Sequence, residues 1–125
     1  DTDIDESIIC TSEQLNLSSY MLLNKIKNLD KIYYAGDFDP EGLQIADKLK
    51  DLYKDKVEFM LYDEKYYEKI ISDKELDLKR ISKLKSIKDN DLKYICDSLR
   101  KYKKAAYQEL LIDEYKQYIR QQVKG

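Results

Sequence analysis

The chain has 125 residues, with 23 basic against 25 acidic side chains and no histidine. That length suffices for one domain with a real core. The absence of histidine excludes Ser-His-Asp triads, histidine general bases and histidine-ligated zinc. A net charge of −2 excludes DNA binding by bulk charge, so contact with nucleic acid would need a local basic patch, a metal ion or a partner.

Charged residues make up 38% and hydrophobic ones 42%, a mixture that folds rather than stays disordered. Twelve tyrosines against two phenylalanines and no tryptophan predict a core margin that is partly polar, because tyrosine combines apolar bulk with a hydroxyl. Cys10 and Cys96 are far apart and form no CxxC or metal cluster, so they read as reduced, buried thiols of a cytoplasmic protein. No apolar stretch approaches the roughly 20 residues that span a bilayer. No secretory signal is visible. The chain begins at Asp1 and reads as a piece of a longer protein.

In chain order, residues 1 to 6 are acidic, and Ser7 to Thr11 predicts a short buried strand. Asn16 or Ser18 can cap a helix that turns Leu17, Tyr20, Met21, Leu23 and Ile26 inward. A second strand spans Lys31 to Ala35. A helix from about Pro40 to Tyr53 carries Leu43, Ile45, Ala46, Leu49, Leu52 and Tyr53 at helical spacing. Val57 to Tyr62 has strand composition. This β-α-β-α-β alternation predicts right-handed crossovers and a parallel sheet covered on both faces.

Residues 63 to 72 predict a short helix. Residues 73 to 90 form a lysine-rich stretch of low order whose Leu76, Leu78, Ile81, Leu84 and Ile87 suit local core. Asn90 or Asp91 can cap a helix to about Tyr102, and a last helix is predicted from about Lys104 to Val123. The basic residues Lys79, Arg80, Lys83, Lys85 and Lys88, then Arg100, Lys101, Lys103 and Lys104, form two clusters. They are either solvated faces or phosphate contacts.

The segment Gly36-Asp37-Phe38-Asp39-Pro40-Glu41-Gly42 follows the second strand. It therefore sits at the carboxyl edge of the sheet, where open α/β folds bind ligands. Helix capping alone accounts for Asp39, Pro40 and Glu41. It accounts neither for Asp37 nor for Gly42, which costs about 1 kcal/mol relative to alanine inside a helix. A glycine there predicts close approach of other backbone. Two neighbouring carboxylates repel, which raises one pKa or calls for a cation. Mg²⁺ or Mn²⁺ suits such oxygen donors. An aspartyl phosphatase uses the same Asp-x-Asp but wants threonine or valine two residues after the second aspartate, where this chain has Glu41.

The pattern Asp37-x-Asp39-Pro40-x-Gly42-x-x-Ile45 resembles the signature of Toprim domains in the A subunit of type VI topoisomerase and its relatives. Ile9-Cys10-Thr11-Ser12 before a helix, then Tyr34-x-Gly36-Asp37-Phe38-Asp39, resembles more closely a C-terminal Toprim-like domain of the nuclease subunit in bacterial Wadjet-type anti-plasmid systems. Gln108-Glu109 matches a Gln-Glu pair in the helical part of that family. The resemblance spans about residues 8 to 115. It implies a Rossmann-like Toprim sheet with a helical C-terminal part. It also implies Mg²⁺-dependent cleavage of DNA phosphodiesters, working with an SMC-like ATPase. Asp37 and Asp39 would be the metal-binding and catalytic pair, with Gly36, Pro40 and Gly42 shaping the turn.

The resemblance also implies a third acid on an earlier strand. That acid is not found here, so the reading is a fragment lacking its first strand, which alone should cleave poorly or not at all. Glu6 precedes its strand and is not accepted as the substitute. Glu13, in the loop after the first strand, and Glu109, by resemblance, are the weaker candidates; each reads first as a solvated carboxylate. The nucleophile would be water or a tyrosine outside the chain. A non-catalytic Toprim scaffold that docks the parent protein on DNA or an ATPase is the competing reading.

Overall fold

Three short apolar segments build the first sheet of the structure, a computed structural model that describes residues 6–11 and 29–124. Strands β1 (Glu6–Thr11), β2 (Leu29–Ala35) and β3 (Val57–Phe59) lie in that order and all run parallel. Ile9 sits opposite Tyr33, and Ile32 and Tyr34 sit opposite Val57 and Phe59. Ile32, Tyr34, Ala35 and Val57 are buried, as the apolar runs predict. The predicted third strand stops three residues early. Met60 N–H still donates to the Tyr34 carbonyl at 2.8 Å, but Leu61 takes φ of 51°, which turns the chain out of extended geometry.

Helix α1 (Pro40–Tyr53) occupies the span expected of it. Its inward stripe is Leu43, Ala46 and Leu49, all fully buried. Leu52, grouped by spacing with these residues, is 49% exposed. It lies about two and a half turns beyond Leu43, hence on the opposite face. A 3₁₀ turn (Lys54–Lys56) leads into β3. The expected capping of a helix by Asn16 or Ser18 lies outside the described residues.

Helix α2 (Glu64–Ile70) matches the short helix predicted after Tyr62. The lysine-rich stretch is more ordered than its sequence suggests. It comprises β4 (Ile71–Glu75), helix α3 (Leu78–Ser82) and a 3₁₀ turn (Lys83–Ser86). Leu76, Leu84 and Ile87 enter the core, whereas Leu78 is 74% exposed. Helix α4 (Asn90–Tyr102) ends where expected, but its cap is Asp89 rather than Asn90 or Asp91: the Asp89 carboxylate accepts the Leu92 N–H. It buries Leu92, Ile95, Cys96 and Leu99, and burial pushes the Cys96 thiol up to about 11.

The predicted last helix is corrected at its start. Lys104–Ala106 is strand β5, Gln108–Leu111 is a 3₁₀ turn, and α5 runs only from Ile112 to Lys124. β5 pairs antiparallel with β4, placing Ile71 opposite Ala106 and Glu75 opposite Lys104. Ala106 also pairs with Phe38, three residues beyond β2. Phe38 N–H donates to the Ala106 carbonyl at 2.7 Å, and Ala106 N–H donates to the Phe38 carbonyl at 3.0 Å. This bridge ties the C-terminal third of the chain to the segment following β2. The architecture is α/β, with a parallel sheet, a small antiparallel one and flanking helices.

Candidate functional site

Two glycines let the turn after β2 close tightly. A Cβ on Gly36 would lie 2.2 Å from the Tyr34 hydroxyl, so only glycine lets that ring fold back beneath the turn. The Tyr34 hydroxyl then donates to the Gly42 carbonyl at 2.8 Å. A Cβ on Gly42 would lie 2.3 Å from the Asp37 carbonyl oxygen. The close backbone approach predicted for Gly42 is thus made by the motif itself. Pro40 opens α1, where its missing N–H has no helical partner to lose.

The result is a fixed pair of carboxylates at the carboxyl edge of the middle strand. Asp37 Oδ1 accepts the Gln108 backbone N–H at 2.9 Å. The Asp37 carbonyl accepts the Tyr62 hydroxyl at 2.9 Å, and Tyr62 stacks on Phe38 with ring centroids 4.6 Å apart. Asp39 caps α1, its Oδ1 accepting the Gly42 N–H at 2.7 Å. Asp39 Oδ2 faces the Arg80 guanidinium at 3.6 Å. Burial is the main force raising the Asp39 pKa, and the charges of Glu41 and Asp37 add to it; the Gly42 hydrogen bond and Arg80 oppose it only in part.

Glu41, in the first turn of α1, is held differently. Arg80 reaches both its oxygens, with Nη2 2.5 Å from Oε1 and Nε 3.2 and 3.3 Å from the pair. Lys83 Nζ adds a contact of 2.9 Å to Oε2. Partial burial raises the Glu41 pKa, but the hydrogen bonds from Arg80 and Lys83 outweigh it and hold the carboxyl down at about 2.

Asp37, Asp39, Gly36, Pro40 and Gly42 therefore meet in one turn. Glu109 follows Gln108 in the 3₁₀ turn and is exposed; its neighbour's amide, not its carboxylate, holds Asp37. Glu13 lies outside the described residues. Among the described residues, no three acidic or thiol groups converge as a ready-made metal cage. Sequence reasoning missed the contributions of Gln108, Tyr62 and Tyr115, and the convergence of Arg80 on Glu41. Tyr115 is 7% exposed, and its hydroxyl has no hydrogen-bond partner among the described residues. Burial, then the charge of Asp37, raises its pKa.

This donor set fits a hard divalent ion. Mg²⁺ binds through one or two carboxylates, keeps several waters and shares substrate phosphates, so two aspartates suffice on the protein side. A buried carboxylate whose charged form is disfavoured gains most from a cation.

Residues 1–119 match the family described as "Protein of unknown function C-terminus (DUF2399)". The chain belongs to this family. No curated protein and no solved structure matches it. The DUF2399 match takes in both halves of the site, the acidic turn and the Tyr107–Tyr115 segment that closes on it. Among the described residues of this DUF2399 chain, no helix is long and apolar enough to cross a membrane.

Proposed function

We propose that this chain is the metal-binding domain of a DNA-cleaving protein, performing Mg²⁺- or Mn²⁺-dependent phosphodiester cleavage. The observation that carries the reading is the Asp37/Asp39 pair. One carboxylate is pinned by the Gln108 amide, the other is buried with its charged form disfavoured, and both stand at the carboxyl edge of a parallel sheet. Asp37 and Asp39 would hold the ion. Bound there, it would neutralise phosphate charge and assist the attacking or leaving oxygen. Gln108 and Gly42 fix the two carboxylates through backbone N–H groups, so their positions do not depend on the ion. Glu109 and Glu13 are the candidates for a third acidic ligand.

The Toprim-like assignment, a role in plasmid or phage defence beside an SMC-like ATPase, and a cytoplasmic setting rest on the sequence resemblance. The strand-turn-helix form of the acidic motif agrees with it.

The test is incubation of the intact protein with supercoiled plasmid and Mg²⁺ or Mn²⁺, with its ATPase partner where one co-purifies. Asp37→Ala and Asp39→Asn are the variants; asparagine preserves the helix cap and removes only the charge. Nicking or linearisation should fall about 10³-fold or more in each, the loss of a metal effect of several kcal/mol. Full cleavage by both variants would remove the proposal. A wild type that binds duplex but never cuts it would favour the docking scaffold.

A further inference from the structure

We infer that Arg80 and Lys83 form a phosphate clamp for the substrate strand, occupied by Glu41 until a phosphate competes for them; this rests on the nuclease reading above. Both side chains rise from the α3–3₁₀ segment and converge on α1's first turn, 39 and 42 residues away in sequence. The guanidinium also faces Asp39 Oδ2 at 3.6 Å, so the cations border the acidic pair itself. Two carboxylates, those of Asp39 and Glu41, face these two cations.

A purely structural ion pair is a weaker account. Glu41 needs one partner and has two, and exposed pairs contribute little, about 0–1 kcal/mol. The side chains of Arg80 and Lys83 are 32% and 43% exposed, so a strand lying along the sheet edge can reach them. Arg80 Nη1 has no hydrogen bond among the described residues, leaving donors of a planar fork that matches phosphate geometry.

The test measures binding of a short fluorescent DNA duplex to the intact protein in EDTA, across about 50 to 200 mM salt. Arg80→Ala and Lys83→Ala should each weaken binding several-fold and lower the slope of log affinity against log salt by about one. Arg80→Lys should recover part of the affinity, since the charge returns without the fork. Glu41→Gln should tighten binding, because it releases both cations. Arg80→Ala and Glu41→Gln break the same ion pair, so a merely structural role would move both variants in one direction. Lys54→Ala, at the far end of α1, is the control for general charge and should change little. The clamp is overturned if Arg80→Ala and Glu41→Gln both weaken binding, if Lys54→Ala equals Arg80→Ala, or if the wild type binds no duplex. Plasmid nicking in Mg²⁺ by the same preparations separates the two readings. Nicking with unchanged Arg80→Ala binding sinks the clamp alone, whereas the clamp pattern without nicking sinks the nuclease alone.

Discussion

A methyl group on Gly42 would press on the Asp37 carbonyl oxygen 2.3 Å away and on Asp39 Oδ1 at 3.0 Å. Both are groups the turn cannot move without displacing a carboxylate. Helix propensity alone gives Gly42→Ala a gain of about 1 kcal/mol. The contact should reverse the sign and cost about 3 kcal/mol. The midpoint of urea unfolding measures it; an alanine variant as stable as the wild type would show that the turn yields. Asp37, Asp39 and Gly42 were legible as a site because they lie within six positions of one another. Their partners were not, since the Tyr62 hydroxyl, the Arg80 guanidinium and the Gln108 amide come from 25, 41 and 71 residues away. No local pattern marks such distant groups.

Helix α1 was legible from its hydrophobic period and capping residues, and strands β1 to β3 from short apolar runs or strand composition. Strands β4 and β5 have no such signal. Ser72 is half-buried, Asp73 to Glu75 are exposed, and β5 has only three residues. Ala105-Ala106 followed by Gln108-Glu109-Leu110-Leu111 favours helix locally, and pairing with β4 and Phe38 overrides that preference. The pairing is anchored from α2, whose Tyr67 hydroxyl donates to the Lys104 carbonyl at 2.6 Å. The Tyr67 ring is buried against Phe38, and burial pushes its hydroxyl pKa up to about 12. The polar core margin expected of a tyrosine-rich chain is therefore realised by Tyr34, Tyr62 and Tyr67, each bonded to a backbone carbonyl. Tyr67→Phe should cost about 1 kcal/mol and speed amide exchange at Ala106. Unchanged exchange there would mean that β5 is held by β4 and Phe38 alone.

Across the whole molecule, acid stability follows the two part-buried carboxylates with displaced pKa values, Glu41 and Asp39. Glu41 is depressed from 4.5 to about 2, so it stabilises the fold above pH 4.5, and that contribution is lost as pH falls toward 2. Asp39 is raised above 3.8 and works in the opposite sense: its stabilising contribution is present below that value and disappears as pH rises. After allowance for solvent screening, Glu41 contributes about 1 kcal/mol. The stability gap between wild type and Glu41→Gln should be widest above pH 4.5 and close near pH 2. Thermal melts across that range measure it, and a gap independent of pH would mean that the ion pair adds nothing beyond packing. The bridge between Phe38 and Ala106, with the Gln108 amide beyond it, bears on how the protein is made. Asp37 emerges from the ribosome 71 residues before its amide partner. At about 5–20 residues per second, this is a delay of roughly 4 to 14 s. Throughout that interval the nascent chain carries both aspartates without the contact that fixes the first, and the site is completed only as synthesis nears the end of this segment.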